Sequence, residues 1–272
     1  MIKDIVVKLS LASPDHAGAY AVSLAAAFEA HVTAVAFAYE PEIMPDPSGQ
    51  GSRRFMRARE ENEEGASAAA AAFEEQADAA GLAVTARVMT TTLSESYDVF
   101  GRIARCFDLA VVSQDEPEKE GAEALVAEGA LFESGRPLIL VPYIHKTGFK
   151  LDRVMVCWDG SRPAARAVAD AMPLLTRAKQ VDVVIIAQAK SDEIPGADVA
   201  DHLARHQVNV TVQRIARGDV DVKDALLNYA ADSVADLVVM GGYGHSRMRE
   251  FILGGVTRGM LASMTVPTLM SH

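Results

Sequence analysis

Residues 237–244 read Leu-Val-Val-Met-Gly-Gly-Tyr-Gly, a run of four apolar residues that passes directly into a glycine-rich segment. A continuous apolar run of this length is typical of a parallel strand that is buried on both faces. The glycines after it indicate the turn that leaves such a strand, because glycine adopts backbone angles that other residues avoid. The stretch therefore predicts an α/β fold in which this run is an inner strand.

The same order of segments occurs twice along the chain. Residues 107–112 parallel residues 235–240, and Gly-Arg-Pro-Leu at 135–138 parallels Thr-Val-Pro-Thr at 265–268. In both copies, short apolar runs alternate with alanine-rich amphipathic stretches, which predicts repeated βαβ units. The predicted strands are 4–9, 32–38, 84–89, 109–113 and 138–142 in the first copy, and 153–158, 181–188, 208–215, 237–241 and 268–271 in the second.

We predict two tandem Rossmann-like domains, residues 1–147 and 148–272, each a five-stranded parallel sheet with helices on both faces. The boundary falls at the polar segment His145-Lys146-Thr147-Gly148. The first copy is longer because of an insertion over residues 41–80, a Pro/Gly loop followed by a charged helix predicted over 53–80. A lid or partner surface is one interpretation of this insertion, and its alternating charges favour a solvated helix instead.

Composition narrows the class of protein. A formal net charge of -11 disfavours contact with a nucleic acid backbone, which is bound through clustered Lys and Arg. No apolar run is long enough to span a bilayer, and the start of the chain reads as a strand instead of a signal peptide. The two cysteines, Cys106 and Cys157, have neither zinc-site nor disulfide spacing. We therefore expect a cytoplasmic globular protein.

Two segments of the second copy carry the candidate chemistry. Glycine N–H groups after the fourth strand can converge on an anion, and the pair Gly254-Gly255 can open a helix whose amino end faces it. The segment Asp159-Gly160-Ser161 follows the first strand, which neighbours the fourth strand where ligands bind such sheets. The alternatives are that the glycines only form a turn and that Asp159 is a helix N-cap, although Ser161 is the better cap.

These residues resemble the universal stress protein family. The resemblance rests on Asp159-Gly160-Ser161, Gly241-x-x-Gly244 and Gly254 after nine further residues. It implies that Asp159 contacts adenine or ribose and that the glycines shape a phosphate cradle. The predicted nucleotide-binding residues are Asp159, Gly160, Ser161, Gly241, Gly242, Gly244, His245, Ser246, Gly254, Gly255, Val256 and Thr257.

One position departs from the family's ATP-binding pattern. Gly255 stands where the family has Ser or Thr, so a hydroxyl expected on the terminal phosphates is missing. Either Thr257 replaces it from two positions on, or the site prefers a smaller or different nucleotide. ATP, with or without Mg²⁺, is the expected ligand, and a chain that carries no nucleotide is the alternative.

The first copy departs much further from the pattern. It reads Ser-Gln-Asp-Glu-Pro-Glu-Lys-Glu at 113–120 where the glycines should stand, and its first strand ends without an acid. We therefore expect no nucleotide in this half. Because domains of the family dimerise, the resemblance implies that this half pairs with the second half, and the sequence leaves open whether two chains also form a homodimer.

The resemblance implies a stress-response regulatory or adaptor protein that binds an adenine nucleotide. A nucleotide-free dimeric adaptor and a slow ATP hydrolase are the alternatives, and we identify no catalytic residue. His202 and His206 lie four apart with Asp198 one turn earlier, but a solvated helix face is the favoured interpretation, and no metal site is predicted. A P-loop is excluded because no Gly-x-x-x-x-Gly-Lys-Ser/Thr run exists.

Overall fold

The computed structural model describes residues 1–11, 14–41, 51–116, 122–187, 196–216, 220–242 and 255–272. Ten strands and eight helices lie within these ranges. The strands are β1 (Asp4–Lys8), β2 (His31–Tyr39), β3 (Val84–Thr91), β4 (Leu109–Ser113), β5 (Leu138–Val141), β6 (Arg153–Cys157), β7 (Gln180–Ala187), β8 (Val210–Ala216), β9 (Leu237–Gly241) and β10 (Thr268–Ser271). The helices are α1 (His16–Phe28), α2 (Gly51–Ala79), α3 (Ser96–Ala104), α4 (Glu123–Glu133), α5 (Arg162–Leu175), α6 (Gly196–Arg205), α7 (Val222–Asp232) and α8 (Gly255–Ser263).

The described strands form one sheet in the order β3-β2-β1-β4-β5-β10-β9-β6-β7-β8. Within each half, neighbouring strands are parallel. Counted along each half, the strands lie in the same order in both, namely third, second, first, fourth and fifth. The predicted fold class of two tandem Rossmann-like units is confirmed. The sequence did not indicate that the two five-stranded units join into a single sheet, which they do through the antiparallel pair β5 and β10.

Helices cover both faces of the sheet, as predicted. Alternate residues of the inner strands point to opposite faces, so Ile5 and Val7 pack in one core while Val6 packs in the other. Helices α1, α2, α5 and α6 bury their apolar residues in the first core. Helices α3, α4, α7 and α8 bury theirs in the second. Burial on both faces is the reason that these strands read as continuous apolar runs.

The antiparallel junction places the carboxyl ends of the two halves at opposite edges of the sheet. Thr268 of β10 pairs with Leu140 of β5, and Met270 pairs with Leu138. Strands β4 and β5 therefore run opposite to β9 and β10. Because ligands of such sheets bind beyond the carboxyl ends of the strands, the candidate crevices of the two halves face away from each other.

The inserted helix is α2, and it lies close to its predicted bounds. Its second half packs on the sheet through Ala66, Ala70, Phe73 and Ala77, so this helix is not wholly solvated. The side-chain amide of Asn62 donates to the carbonyl of Tyr39, which ties the helix to the end of β2. Residues 42–50 of the predicted loop lie outside the described residues.

The polar segment between the halves packs on the first half. The backbone N–H of Phe149 donates to the hydroxyl of Ser23 in α1 at 2.9 Å. The ring of Tyr20 lies edge-on to His145 and to Phe149, with ring centroids 5.5 and 5.8 Å apart. The connection is therefore held by aromatic and hydrogen-bonding contacts to α1.

Candidate functional site

The turn after β6 is fixed by its own side chains. The carboxylate of Asp159 accepts from the N–H of Ser161 at 2.9 Å, and Gly160 between them has a φ of 74°, which favours glycine. Ser161 caps α5 by accepting from the N–H of Ala164, and Pro163 follows in the first turn. The predicted cap at Ser161 is confirmed, and the alternative that Asp159 is the cap is wrong. Asp159 is exposed, and its carboxylate has lone pairs beyond the one bond.

Gly241, the last residue of β9, touches the first turn of α5. A Cβ at this position would lie 2.5 Å from the backbone nitrogen of Ala164 and 2.6 Å from the carbonyl carbon of Pro163. This contact needs glycine for close approach and not for a positive φ. It places the end of β9 beside the first turn of α5, which directly follows the Asp159 turn in the chain.

Gly242 is held inside the fold. Its N–H donates to the carbonyl of Ser271 at 2.8 Å, so this N–H is not free to bind an anion. Its carbonyl lies 3.1 Å from Nδ1 of His272. A Cβ here would lie 3.0 Å from a methyl of Leu131, which belongs to α4 of the first half. Gly242, the first residue after β9, is therefore closely packed by its neighbours.

The remaining predicted residues are only partly visible. Gly244, His245, Ser246 and Gly254 lie outside the described residues, so the geometry of a phosphate cradle there stays a prediction. Gly255, Val256 and Thr257 form the first turn of α8, whose side chains before residue 259 are not described. Helix α8 leads into β10 and runs opposite to it, so its amino end lies at the carboxyl edge of β9. The first N–H groups of a helix lack partners within the helix, and they favour an anion.

Lys223 is a residue that the sequence analysis missed. It lies at the start of α7, where its stem packs against Gly259, one turn into α8. Its ammonium group pairs with Asp224 at 3.1 Å. The signal available in the sequence was a lysine at the start of the helix that follows the third strand of the second half, because such helices begin at the carboxyl edge of the sheet.

The equivalent edge of the first half is filled by its own charges. Lys8 ends β1 with 2% of its side chain exposed, and its ammonium pairs with Glu123 at the start of α4. Burial raises the pKa of Glu123 and of Asp115, while Lys8 opposes the shift in both. Burial also raises the pKa of Asp15, the N-cap of α1, to about 6. This edge therefore has an internal cation where a ligand would otherwise lie.

Other reactive groups do not extend the site. Burial, with a smaller contribution from Asp159, raises the pKa of the Cys157 thiol to about 12, so it is protonated at neutral pH. The rings of His202 and His206 lie edge-on with centroids 4.8 Å apart, on an exposed helix end. Across the described ranges no cluster of three His, Cys, Asp or Glu side chains could hold a metal ion. None of the helices within those ranges is long and apolar enough to cross a membrane.

Comparison with known proteins gives a family for the second half. Residues 150–272 match the model of the universal stress protein family. A segment of 47 residues, 17% of this chain and 16% of the relative, is 36% identical to universal stress protein Slr1230 of Synechocystis.

Two solved structures have the same fold over almost the whole chain. A universal stress protein from Archaeoglobus fulgidus superposes with a TM-score of 0.70 at 15% identity, over 98% of this chain and 95% of that one. A Pseudomonas aeruginosa protein of unknown function has a TM-score of 0.57 at 13% identity, over 99% and 92%. At these identities the likeness shows the fold.

Proposed function

Because residues 150–272 match the model of the universal stress protein family, we propose that the second half binds an adenine nucleotide, ATP, at the carboxyl ends of β6 and β9. The chain would act as a stress-response regulatory or adaptor protein that responds to this ligand. One observation supports the location above the others. The contact of Gly241 with the first turn of α5 brings the Asp159 turn and the start of the glycine segment together.

The described residues suit a nucleotide in chemically distinct ways. The carboxylate of Asp159 is exposed and rigidly oriented, so it can accept from a ribose hydroxyl or an adenine amino group. The amino end of α8 supplies backbone N–H groups for the phosphates, which explains how a chain of net charge -11 can bind an anion. Lys223, packed against α8, adds a cation at the same edge. Bound Mg²⁺ would neutralise phosphate charge.

The first experiment asks whether a nucleotide is present. Mass spectrometry of gently purified protein shows whether ATP, ADP, AMP or nothing is carried along, and calorimetric titration gives the affinity for ATP. Asp159→Ala should weaken ATP binding at least tenfold, because a hydrogen bond to a charged group is lost. Asp201→Ala is the matched control, since Asp201 is an exposed acid on α6 beside β7 and β8. Gly244→Val tests the cradle in the part of the chain outside the described residues.

The alternatives separate in the same experiment. A nucleotide-free adaptor predicts neither a copurified nucleotide nor heat of ATP binding, and that result would refute the proposal. A slow ATP hydrolase predicts that ADP accumulates with Mg²⁺ at a rate that falls in Asp159→Ala. A regulatory protein without dedicated chemistry predicts binding with no such turnover.

A further inference from the structure

The first half contacts the second at both ends of the segment that carries the glycine motif. This segment leaves β9 at Gly242 and ends in α8, whose last described turn includes Leu261. Residues of the first half lie against each end. The contacts are specific side-chain contacts, and they are separate from the strand pairing between β5 and β10.

At the far end of α8, Gln114 acts as a cap from the other half. Its side-chain Nε2 donates to the carbonyl of Leu261 at 2.7 Å. The last four carbonyls of a helix lack partners within the helix, and Leu261 supplies one of them. Gln114 is 6% exposed, and the bond is partly buried. A side chain of the first half therefore fixes the position of α8.

At the start of the segment, residues of the last turn of α4 pack against Gly242 and its neighbour His272. A methyl of Leu131 lies against the Cα of Gly242. The ring of Phe132 meets the ring of His272 edge-on with centroids 5.0 Å apart, and that imidazole lies 3.1 Å from the carbonyl of Gly242. Phe132 thus acts on the glycine segment through His272.

We infer that Gln114 and Phe132 are positioning residues through which the first half holds α8 and Gly242, which border the proposed nucleotide site, in place. This inference rests on the proposed function. It gives the first half a role in ligand binding although its own crevice is filled by Lys8 and Glu123. The contacts of both residues end on α8 and Gly242, so the effect passes through these two parts of the second half.

Gln114→Met separates positioning from stability. Methionine has nearly the shape of glutamine but donates no hydrogen bond to Leu261. The Oε1 atom of Gln114 is buried and has no hydrogen-bond partner, so its removal relieves a desolvation cost that offsets the lost bond. We expect the melting temperature to stay close to that of wild type while ATP affinity falls about fivefold.

Gln180→Met is the matched control, because Gln180 lies in the second half at the amino end of β7, away from the carboxyl ends of β6 and β9, and donates to Asp182 and Thr211. Its ATP affinity should stay within about twofold of wild type. At the near end, Phe132→Leu should weaken ATP binding about threefold, and Phe132→Tyr, which keeps the ring, should restore the wild-type affinity. Rescue by tyrosine distinguishes the ring contact from simple packing.

Amide hydrogen exchange of the nucleotide-free protein completes the test. Residues 255–263 should exchange faster in Gln114→Met than in wild type or Gln180→Met. If wild-type protein binds no adenine nucleotide, the proposed function is refuted, while the exchange measurement still decides whether Gln114 holds α8. Unchanged exchange, or equal affinities in Gln114→Met and wild type, would overturn the inference.

Discussion

Gly241→Ala should lower the free energy of unfolding by about 2 kcal/mol. The added Cβ would lie 2.5 Å from the nitrogen of Ala164 and 2.6 Å from the carbonyl carbon of Pro163, and real Cβ atoms essentially never approach other atoms within 3.0 Å. Both atoms belong to the backbone of a capped helix, so no side-chain rotation can relieve the overlap. The first turn of α5 must therefore move by about 1 Å, and overpacking of this kind typically costs 1–3 kcal/mol.

Urea denaturation monitored by circular dichroism measures this change against a matched control. Gly65→Ala places its Cβ where no atom lies within 4 Å, on an exposed stretch of α2. That substitution should raise the free energy of unfolding by about 0.5–1 kcal/mol, because alanine favours a helix over glycine. The two variants thus have opposite expected signs.

A functional measurement extends the comparison. Movement of α5 shifts the Asp159 turn, so Gly241→Ala should also weaken ATP binding, and Gly65→Ala should not. If Gly241→Ala is as stable as wild type while Gly65→Ala gains stability, the close contact between β9 and α5 is not present in solution. The argument that the two segments share one site would then lose its basis.

Three further predictions concern stability, each measurable by urea denaturation. Gly129→Ala should lower the free energy of unfolding by about 3 kcal/mol, because its Cβ would overlap the backbone of α3. Gly259→Ala, at the equivalent place in the second half, should lower it by under about 1 kcal/mol, because its Cβ meets a flexible lysine side chain. Asp15→Asn should have the same free energy of unfolding as wild type near pH 4 and a free energy of unfolding about 3 kcal/mol higher above pH 6. The folded-state pKa of Asp15 is raised to about 6, so the wild type loses stability as the pH rises from about 4 to 6. Equal stability of the two proteins at pH 7 would contradict this. Tyr229→Phe should cost about 1–2 kcal/mol at pH 7, since it removes the 3.1 Å hydrogen bond to the buried carboxylate of Asp182; no loss would mean that the other donors satisfy that carboxylate.

The fold could be predicted from the sequence because local signals and burial agree. Strands β4, β9 and β10 have the predicted bounds, and the other strands differ from prediction by at most two residues at either end. Buried parallel strands need apolar side chains on both faces. The result is a run of consecutive apolar residues, which differs from the mixed apolar and polar pattern of a surface helix. The cap at Ser161 could also be predicted from local sequence. A Ser before a helix accepts from N–H groups of the first turn that lack partners within the helix, and a Pro at an early helical position lacks such an N–H group.

The contacts between the halves were not predictable, because they join positions far apart in sequence. Nothing in Ser113 or Gln114 indicates that the amide of Gln114 would reach Leu261, 147 residues away. The glycine pattern likewise predicts phosphate binding by Gly241 and Gly242. The structure gives Gly241 a packing reason and gives the N–H of Gly242 a partner in the sheet. Glycine alone does not say which neighbour requires it.

The two halves keep one architecture but differ in what fills the equivalent edge. Lys8 and Cys157 are the last residues of the two first strands, and Gln114 and Gly242 directly follow the two fourth strands. In the second half these positions are small or uncharged, whereas in the first half a lysine with 2% exposure is paired with Glu123.

A buried ion pair is costly to form and still more costly to break, because removing one partner leaves an unpaired charge in the interior. Substitution of Lys8 alone would leave the carboxylate of Glu123 without its partner, and substitution of Glu123 alone would leave the ammonium of Lys8 without its partner. A single substitution of either residue would therefore lower the stability of the first half. The ion pair and the contacts of Gln114 and Phe132 with the second half are both consistent with the supporting role that we infer for the first half.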